Sequence, residues 1–170
     1  MRKPVIIVPY DPAWPAIFVQ IRDKVLAALG STALAVEHIG STSVPGLDAK
    51  PIIDIDVIIS TETDLSTAIS KLSKAGYTYE GEKGIEGRHA FAQPSRLPAH
   101  HLYVCAAGNP ELRRHIAFRD FLRANPDTAK SYGVLNKCLA EKFGPDREGY
   151  TNAKEEFIAE TLLNLSNNAL

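Results

Sequence analysis

The chain of 170 residues has only two cysteines, Cys105 and Cys138, and neither belongs to a Cys-x-x-Cys or Cys/His spacing that binds zinc. We therefore expect reduced thiols rather than a disulfide framework. An excess of charge is also lacking, since 19 basic and 20 acidic residues leave a formal net charge of −1. Without a basic surplus, long nucleic acid is not an expected partner, and a small nucleotide or another short polar substrate fits better.

Long apolar runs are missing as well. The first run, residues 5–8, is interrupted by Pro9 and is too short for a signal sequence or a membrane-spanning helix. We therefore expect a cytoplasmic protein without a membrane partner, and no motif indicates a protein partner. The content of 45% hydrophobic and 23% charged residues is that of an ordinary globular domain.

The most informative segment is residues 38–57, where Asp54 and Asp56 interrupt an apolar run. Side chains alternate along a strand, so the two carboxylates share one face. Their repulsion and lost hydration can be offset by a divalent cation. An alternative is a solvated edge strand, but the β-branched runs at 51–53 and 57–59 favour an interior strand. The pattern predicts a divalent cation at Asp54 and Asp56.

A Gly-Ser turn precedes this strand. Gly40 permits unusual torsion angles, and Ser41, Thr42 and Ser43 add three hydroxyls to the free backbone amides of the turn. Such a cluster can hold phosphate oxygens, although the same residues also serve as an ordinary cap or loop. Combined with the two aspartates, the turn predicts a phosphate cradle beside a metal site.

The order of apolar residue, Gly-Ser, short spacer and Asp-apolar-Asp-apolar resembles the nucleotidyltransferase superfamily with the DNA polymerase β-type core. More closely, residues 38–47 and 49–57 resemble the GrpB family of small bacterial proteins. Similarity to that family extends over nearly the whole chain, through residues 8–14, 101–104, 118–123 and 150–158.

The resemblance implies an α+β fold with a nucleotidyltransferase-like mixed sheet and flanking helices. It also implies a nucleoside triphosphate as substrate. In such a site Asp54 and Asp56 would coordinate Mg²⁺ or Mn²⁺, and Gly40 and Ser41 would orient the triphosphate.

One departure from the superfamily concerns its third carboxylate, which lies on a later strand. The equivalent stretch here, residues 100–104, contains no acid. His101 would face the aspartates and could act as a catalytic or metal-binding group, or only bond within the sheet. Glu37, Glu80 and Glu86 are the other acids that could reach the site from elsewhere.

Three cations are predicted to contact phosphate: Lys50 before the aspartate strand, Arg88 at the start of a later strand, and Lys154 in the last helix. The alternative for each is a solvated surface charge. Arg119 and Asp120 are predicted to pair with other helices.

Periodicity predicts one domain over residues 1–170. Its α/β core occupies 1–108, with helices at 13–30 and 63–75 and strands before and after the Gly-Ser turn, at 77–79, 88–92 and 100–106. The glycine-rich stretch 80–87 is predicted to be a loop or hairpin. C-terminal helices follow at 109–163, and 164–170 is expected to be a frayed tail.

Three functions are compatible with these features. The first is a metal-dependent nucleotidyltransferase that transfers a nucleotidyl group to an acceptor that the sequence does not define. The second, favoured by the missing carboxylate, is a non-catalytic module that binds a nucleotide or another phosphorylated metabolite. The third is a metal-dependent hydrolase that uses the aspartates with His101.

Overall fold

The computed structural model describes residues 5–168. Its centre is a mixed sheet of five strands: β1 (Ala35–Ile39), β2 (Ile53–Ile59), β3 (Thr78–Tyr79), β4 (His89–Ala92) and β5 (His100–Ala106). The strand order is β1-β2-β5-β4-β3. Strands β2 and β5 are parallel, and the other neighbours are antiparallel. The predicted α+β class with a mixed sheet is confirmed.

Five α-helices flank the sheet: α1 (Trp14–Leu29), α2 (Leu65–Lys74), α3 (Pro110–Ala124), α4 (Pro126–Phe143) and α5 (Arg147–Asn168). Three short 3₁₀ segments occupy Gly30–Thr32, Ser41–Ser43 and Glu62–Asp64. The first helix ends in the 3₁₀ turn at Gly30, where φ is +57°, a value that glycine adopts without a steric penalty.

Strand β2 is an interior strand, as its β-branched flanks predicted, because β1 and β5 bond to its two edges. One face of β2 presents Ile53, Ile55, Val57 and Ile59, which are buried against α1 and α2. Full burial of each such side chain stabilises the fold by about 1.5–3 kcal/mol. The alternation of the strand therefore leaves Asp54 and Asp56 on the opposite face.

Helices α3, α4 and α5 form the layer next to that opposite face. Phe118 and Leu122 of α3 and Tyr132 of α4 cluster with Val44 and Leu47, which follow the Gly-Ser turn. The predicted C-terminal helices therefore act as the second wall of the site, with the sheet as the first.

The remaining predictions concern connections and ends. The stretch 80–87 joins β3 to β4 as an antiparallel hairpin. Helix α5 continues to Asn168, through most of the expected frayed tail, and residues 1–4, 169 and 170 lie outside the described residues. Within residues 5–168, no helix combines the length and apolarity needed to span a bilayer.

Candidate functional site

A cleft lies between the polar face of the sheet and helices α3–α5. It has two lobes, of about 200 Å³ and 360 Å³. Ser41, Asp54, Tyr103 and Lys154 line both lobes, so the two volumes meet beside the Gly-Ser turn and the first aspartate. Cavities of a few hundred Å³ are typical of small-molecule sites.

Asp54 stands at the open part of the cleft, with 32% of its side chain exposed. The parallel register pairs it with His101 on β5, and the His101 Nδ1 atom lies 2.7 Å from the Asp54 Oδ1 atom. The sequence prediction that His101 shares a face with the aspartates is therefore met in the geometry. His101 is itself 46% exposed, so this pair is in contact with solvent.

Asp56 lies deeper and is fully buried. His115 of α3 donates from Nδ1 to the Asp56 Oδ2 atom at 2.7 Å, and its Nε2 atom lies 3.0 Å from the Glu111 Oε1 atom. Burial lowers the pKa of His115, but the hydrogen bonds to the two carboxylates outweigh that effect and raise it to about 9. Burial raises the pKa of Asp56, and the His115 cation opposes the rise.

The Gly-Ser turn brings its backbone close to the first aspartate. Gly40 has φ +71° and ψ −175°, a region essentially restricted to glycine. A Cβ atom at this position would lie 2.5 Å from the Asp54 Oδ2 atom. Gly40 is therefore required both for the torsion angles and for the close approach to the carboxylate.

The structure brings only part of the predicted hydroxyl cluster to the cleft. Gly40 and Ser41 line it, and Thr42 lines the larger lobe, although the Thr42 hydroxyl is bonded to His38 at 3.0 Å. Ser43 is turned away: its hydroxyl donates to the Gly40 carbonyl, and the residue lines a different groove. The turn therefore offers a single uncommitted side-chain hydroxyl, that of Ser41.

The three predicted phosphate-binding cations all line the cleft. Arg88 is in the smaller lobe with its guanidinium 4.4 Å from the centre of the Tyr103 ring, Lys50 is in the larger lobe, and Lys154 is in both. Burial lowers the pKa of Lys50. Arg147 also lines the larger lobe. Among the described residues, none of these four cations has a carboxylate within ion-pair distance.

Lys154 is enclosed by aromatic rings. Its Nζ atom lies 5.4 Å from the centre of the Tyr132 ring and 5.1 Å from that of Tyr150, and both tyrosines are buried. Against the effect of burial, the two tyrosines and the charge of Asp54 stabilise the ammonium group and raise its pKa, although no carboxylate among the described residues forms an ion pair with it.

Other cations of the smaller lobe are paired. Arg114 bonds to Glu155 of α5. Arg119 bonds to Glu37 of β1 at 2.6 Å and to its neighbour Asp120. The prediction that Arg119 and Asp120 pair with other helices is therefore wrong, because α3 packs directly over β1 and brings Arg119 to a strand.

None of the three candidate acids completes the site. Glu37 is held by Arg119, Glu80 pairs with Lys83 in the β3–β4 hairpin at 2.5 Å, and Glu86 lines a separate surface pocket. Glu111 is linked to Asp56 indirectly, because His115 contacts both carboxylates.

A predicted Mg²⁺ or Mn²⁺ ion needs oxygen ligands that can turn towards one point. Asp54 meets this condition. Asp56 does not, because His115 occupies one oxygen and the other is buried without a partner. Within residues 5–168, no three His, Cys, Asp or Glu side chains are placed to hold a metal ion. The side chains do not fit the two-carboxylate centre, so the metal stays a prediction.

Sequence reasoning missed His115, Glu111, Arg114 and Arg147. One signal was available for the first two, because Glu111 and His115 are four residues apart and so share a helical face. The contact of His115 with Asp56 spans 59 residues of sequence, and no local pattern records it.

Comparison with solved structures identifies the fold. Cid1 poly(U) polymerase superposes with a TM-score of 0.55 at 10% identity, over 79% of this chain and 44% of that chain, which shows the nucleotidyltransferase fold. The crystal structure of GrpB from Enterococcus faecalis superposes with a TM-score of 0.76 at 35% identity, over 92% and 99% of the two chains. The model of the family described as GrpB protein matches residues 4–163. The chain belongs to the GrpB family.

Relatives of the chain differ in length. The UPF0157 protein YqkA of Bacillus subtilis is 36% identical over 157 residues, which are 92% of this chain but 46% of that protein. The Glutamate-rich protein GrpB of Alkalihalophilus pseudofirmus is 34% identical over 163 residues, which cover 93% of this chain and 94% of that protein. The chain thus spans about half of one relative and nearly all of another.

Proposed function

We propose that the cleft binds the phosphate groups of a small molecule, and that this molecule is a nucleoside triphosphate. The observation that carries the proposal is the convergence of four cations without acid partners, namely Lys50, Arg88, Arg147 and Lys154. Cations that share a partly buried cleft repel one another and lose hydration. A bound polyanion relieves both costs and gains charge-assisted hydrogen bonds.

The position of the cations also suggests how the ligand lies. Lys154 and Ser41 line both lobes, so a phosphate group at their junction would contact both. The larger lobe adds Lys50 and Arg147 and suits the rest of the polyphosphate. The smaller lobe has the apolar walls Phe118 and Ile158, which suit a less polar part of the ligand.

The choice of a nucleotide is supported by the fold. Cid1 poly(U) polymerase, which shares the fold, has been solved with MgATP bound. In the present chain Gly40 and Asp54 come together beside the four cations, and three of these, Lys50, Arg88 and Lys154, are the cations for which the sequence predicted phosphate contacts.

Nucleotidyl transfer is the second candidate, and the His101–Asp54 pair favours it. An acceptor hydroxyl would attack the α-phosphorus, pyrophosphate would leave, and the imidazole–carboxylate pair would accept the hydroxyl proton. Pyrophosphate release that is lost in Asp54→Asn would support transfer. Release of inorganic phosphate without any acceptor would indicate hydrolysis instead.

The binding proposal is tested by thermal unfolding with each ribonucleoside triphosphate and with inorganic tripolyphosphate, in EDTA and in Mg²⁺ or Mn²⁺. A ligand specific for the native state raises the apparent Tm by mass action. We expect a rise in the wild-type chain that is lost in Lys154→Met.

The matched control is Lys142→Met, since Lys142 is an exposed lysine of α4 outside the cleft. Its ligand-induced shift should equal that of the wild type. A shift that survives in Lys154→Met, or the absence of any shift with all these ligands, would contradict the proposal.

A further inference from the structure

Three charged side chains form a continuous chain at the wall of the smaller lobe, which His115 lines. Asp56 of β2 is bonded to His115, and His115 is bonded to Glu111 one helical turn earlier on α3. Glu111 in turn lies 3.4 Å from Arg114. The imidazole ring of His115 thus fills the space between the second aspartate and the helical wall.

With Asp56 and Glu111 ionised, the geometry makes the His115 ring a cation. Both ring nitrogens of His115 face carboxylate oxygens, at 2.7 Å and 3.0 Å. An ionised carboxylate only accepts hydrogen bonds, so both nitrogens must donate, and an imidazole that donates twice is a cation. The protein itself therefore places a positive charge beside Asp56.

This charge does what a metal ion would do there. Two carboxylates on one strand face repel each other, and a buried one needs a compensating cation. Asp56 obtains that cation from His115, and its other oxygen is sealed from the cleft without a partner. Asp54 needs less compensation because solvent reaches its side chain.

We propose that His115 takes the place of a divalent cation beside Asp56, so that the cleft binds its phosphorylated ligand as the metal-free anion. Lys50, Arg88 and Lys154 then neutralise the phosphates. The statement about the ligand rests on the proposed function, whereas the pairing of His115 with Asp56 stands on the contacts alone. His115 is a positioning residue, since it acts through Asp56.

The first test needs no ligand. The Tm of the wild type, His115→Gln, Asp56→Asn and the double variant is measured in EDTA and in millimolar Mg²⁺. We expect the wild type to have the same Tm in both buffers. His115→Gln leaves a buried carboxylate uncompensated and should lower the Tm in EDTA by about 10 °C.

Two rescues separate a charge role from a purely structural one. Mg²⁺ should restore part of the Tm lost in His115→Gln, because His115 lines the smaller lobe and its removal opens the Asp56 Oδ2 atom to an ion in the cleft. The double variant, with two neutral amides, should recover stability in EDTA. The control His101→Gln, next to the exposed Asp54, should lose about 3 °C or less. Failure of both rescues would overturn the proposed charge role.

The second test measures binding of inorganic tripolyphosphate to the wild-type chain by calorimetry in EDTA and in Mg²⁺. We expect binding in EDTA that Mg²⁺ does not tighten. A dissociation constant at least tenfold lower in Mg²⁺ would overturn metal-free binding. No binding in either buffer would overturn the phosphate site, while the Tm series would still decide the role of His115.

Discussion

The two aspartates on one face of β2 differ in their surroundings. Asp54 opens to the cleft and pairs with an exposed histidine from the neighbouring strand, whereas Asp56, two residues further, is sealed and pairs with a histidine from a helix. The strand gives both aspartates the same orientation. What distinguishes them is the layer above, because α3 lies over Asp56.

This difference teaches that an Asp-x-Asp pattern defines a face but not the function of each carboxylate. An open carboxylate can meet a ligand or a proton. A buried carboxylate pairs with the cation that neutralises it. Its removal therefore lowers the stability of the fold more than it weakens ligand binding.

The largest effect is expected from truncating each aspartate in turn. Asp56→Ala removes the carboxylate bonded to the His115 Nδ1 atom and leaves a cavity in the sheet layer, and should lower the free energy of unfolding by about 3–5 kcal/mol. Asp54→Ala should cost less than about 1 kcal/mol, since solvent screens its pair. Urea denaturation measures both. Equal losses for the two variants would contradict the comparison.

The sequence was sufficient to predict the strand that carries the two aspartates, but not the helical residue that neutralises Asp56. Alternation of Asp54 and Asp56 with buried isoleucines predicted an interior strand with one polar face, because strand periodicity is local. The assignment of His115 to Asp56 depends on how α3 packs on the sheet. Long-range packing of that kind has no pattern within a single element, and Arg119 was assigned to the wrong partner for the same reason.

The second prediction concerns the close contact between Gly40 and the Asp54 carboxylate. Gly40→Ala must hold a side chain in a region that favours glycine and must also displace the Asp54 carboxylate. We expect a loss of about 3 kcal/mol, at the upper end of the range for such strain.

Gly46→Ala is the matched control in the same loop. Gly46 also has a positive φ, of +78°, but a Cβ atom there would meet nothing within 4 Å. Its loss should be about 1 kcal/mol, from the torsion angle alone. If the two variants lose the same free energy, the contact between Gly40 and Asp54 does not limit the site.

The third prediction concerns His38, a buried histidine whose charge state is expected to be opposite to that of His115. His38 lies on β1, stacked on Phe18, and burial, aided by the nearby charges of Arg123 and Arg119 and opposed by that of Asp54, lowers its pKa from 6.5 to about 4. Between pH 4 and pH 6.5 the folded state thus binds fewer protons at His38 than the unfolded state does. The contribution of neutral His38 to the free energy of unfolding is therefore fully present above pH 6.5 and is lost as the pH falls.

Between pH 7 and pH 5 this deficit amounts to about 2 kcal/mol, from 1.36 kcal/mol per pH unit below 6.5. Urea denaturation at the two pH values measures it, with His38→Gln as the reference that lacks the group. The wild type should lose about 2 kcal/mol more than the variant. An identical loss in both would show that His38 is charged in the folded state, as His115 is.

The smallest effect is expected from the open pair itself, and it sharpens the comparison most directly. A double-mutant cycle of Asp54→Asn and His101→Gln isolates their coupling, because the separate losses of the two side chains cancel. The side chains are 32% and 46% exposed, so water competes for both and the coupling should be below about 1 kcal/mol. The same cycle on Asp56 and His115 should give at least twice that value, since Asp56 is fully buried and only 21% of the His115 side chain is exposed. A larger coupling at the open pair would mean that Asp54 is structurally committed, and the carboxylate then available to a ligand would have to be sought elsewhere in the cleft.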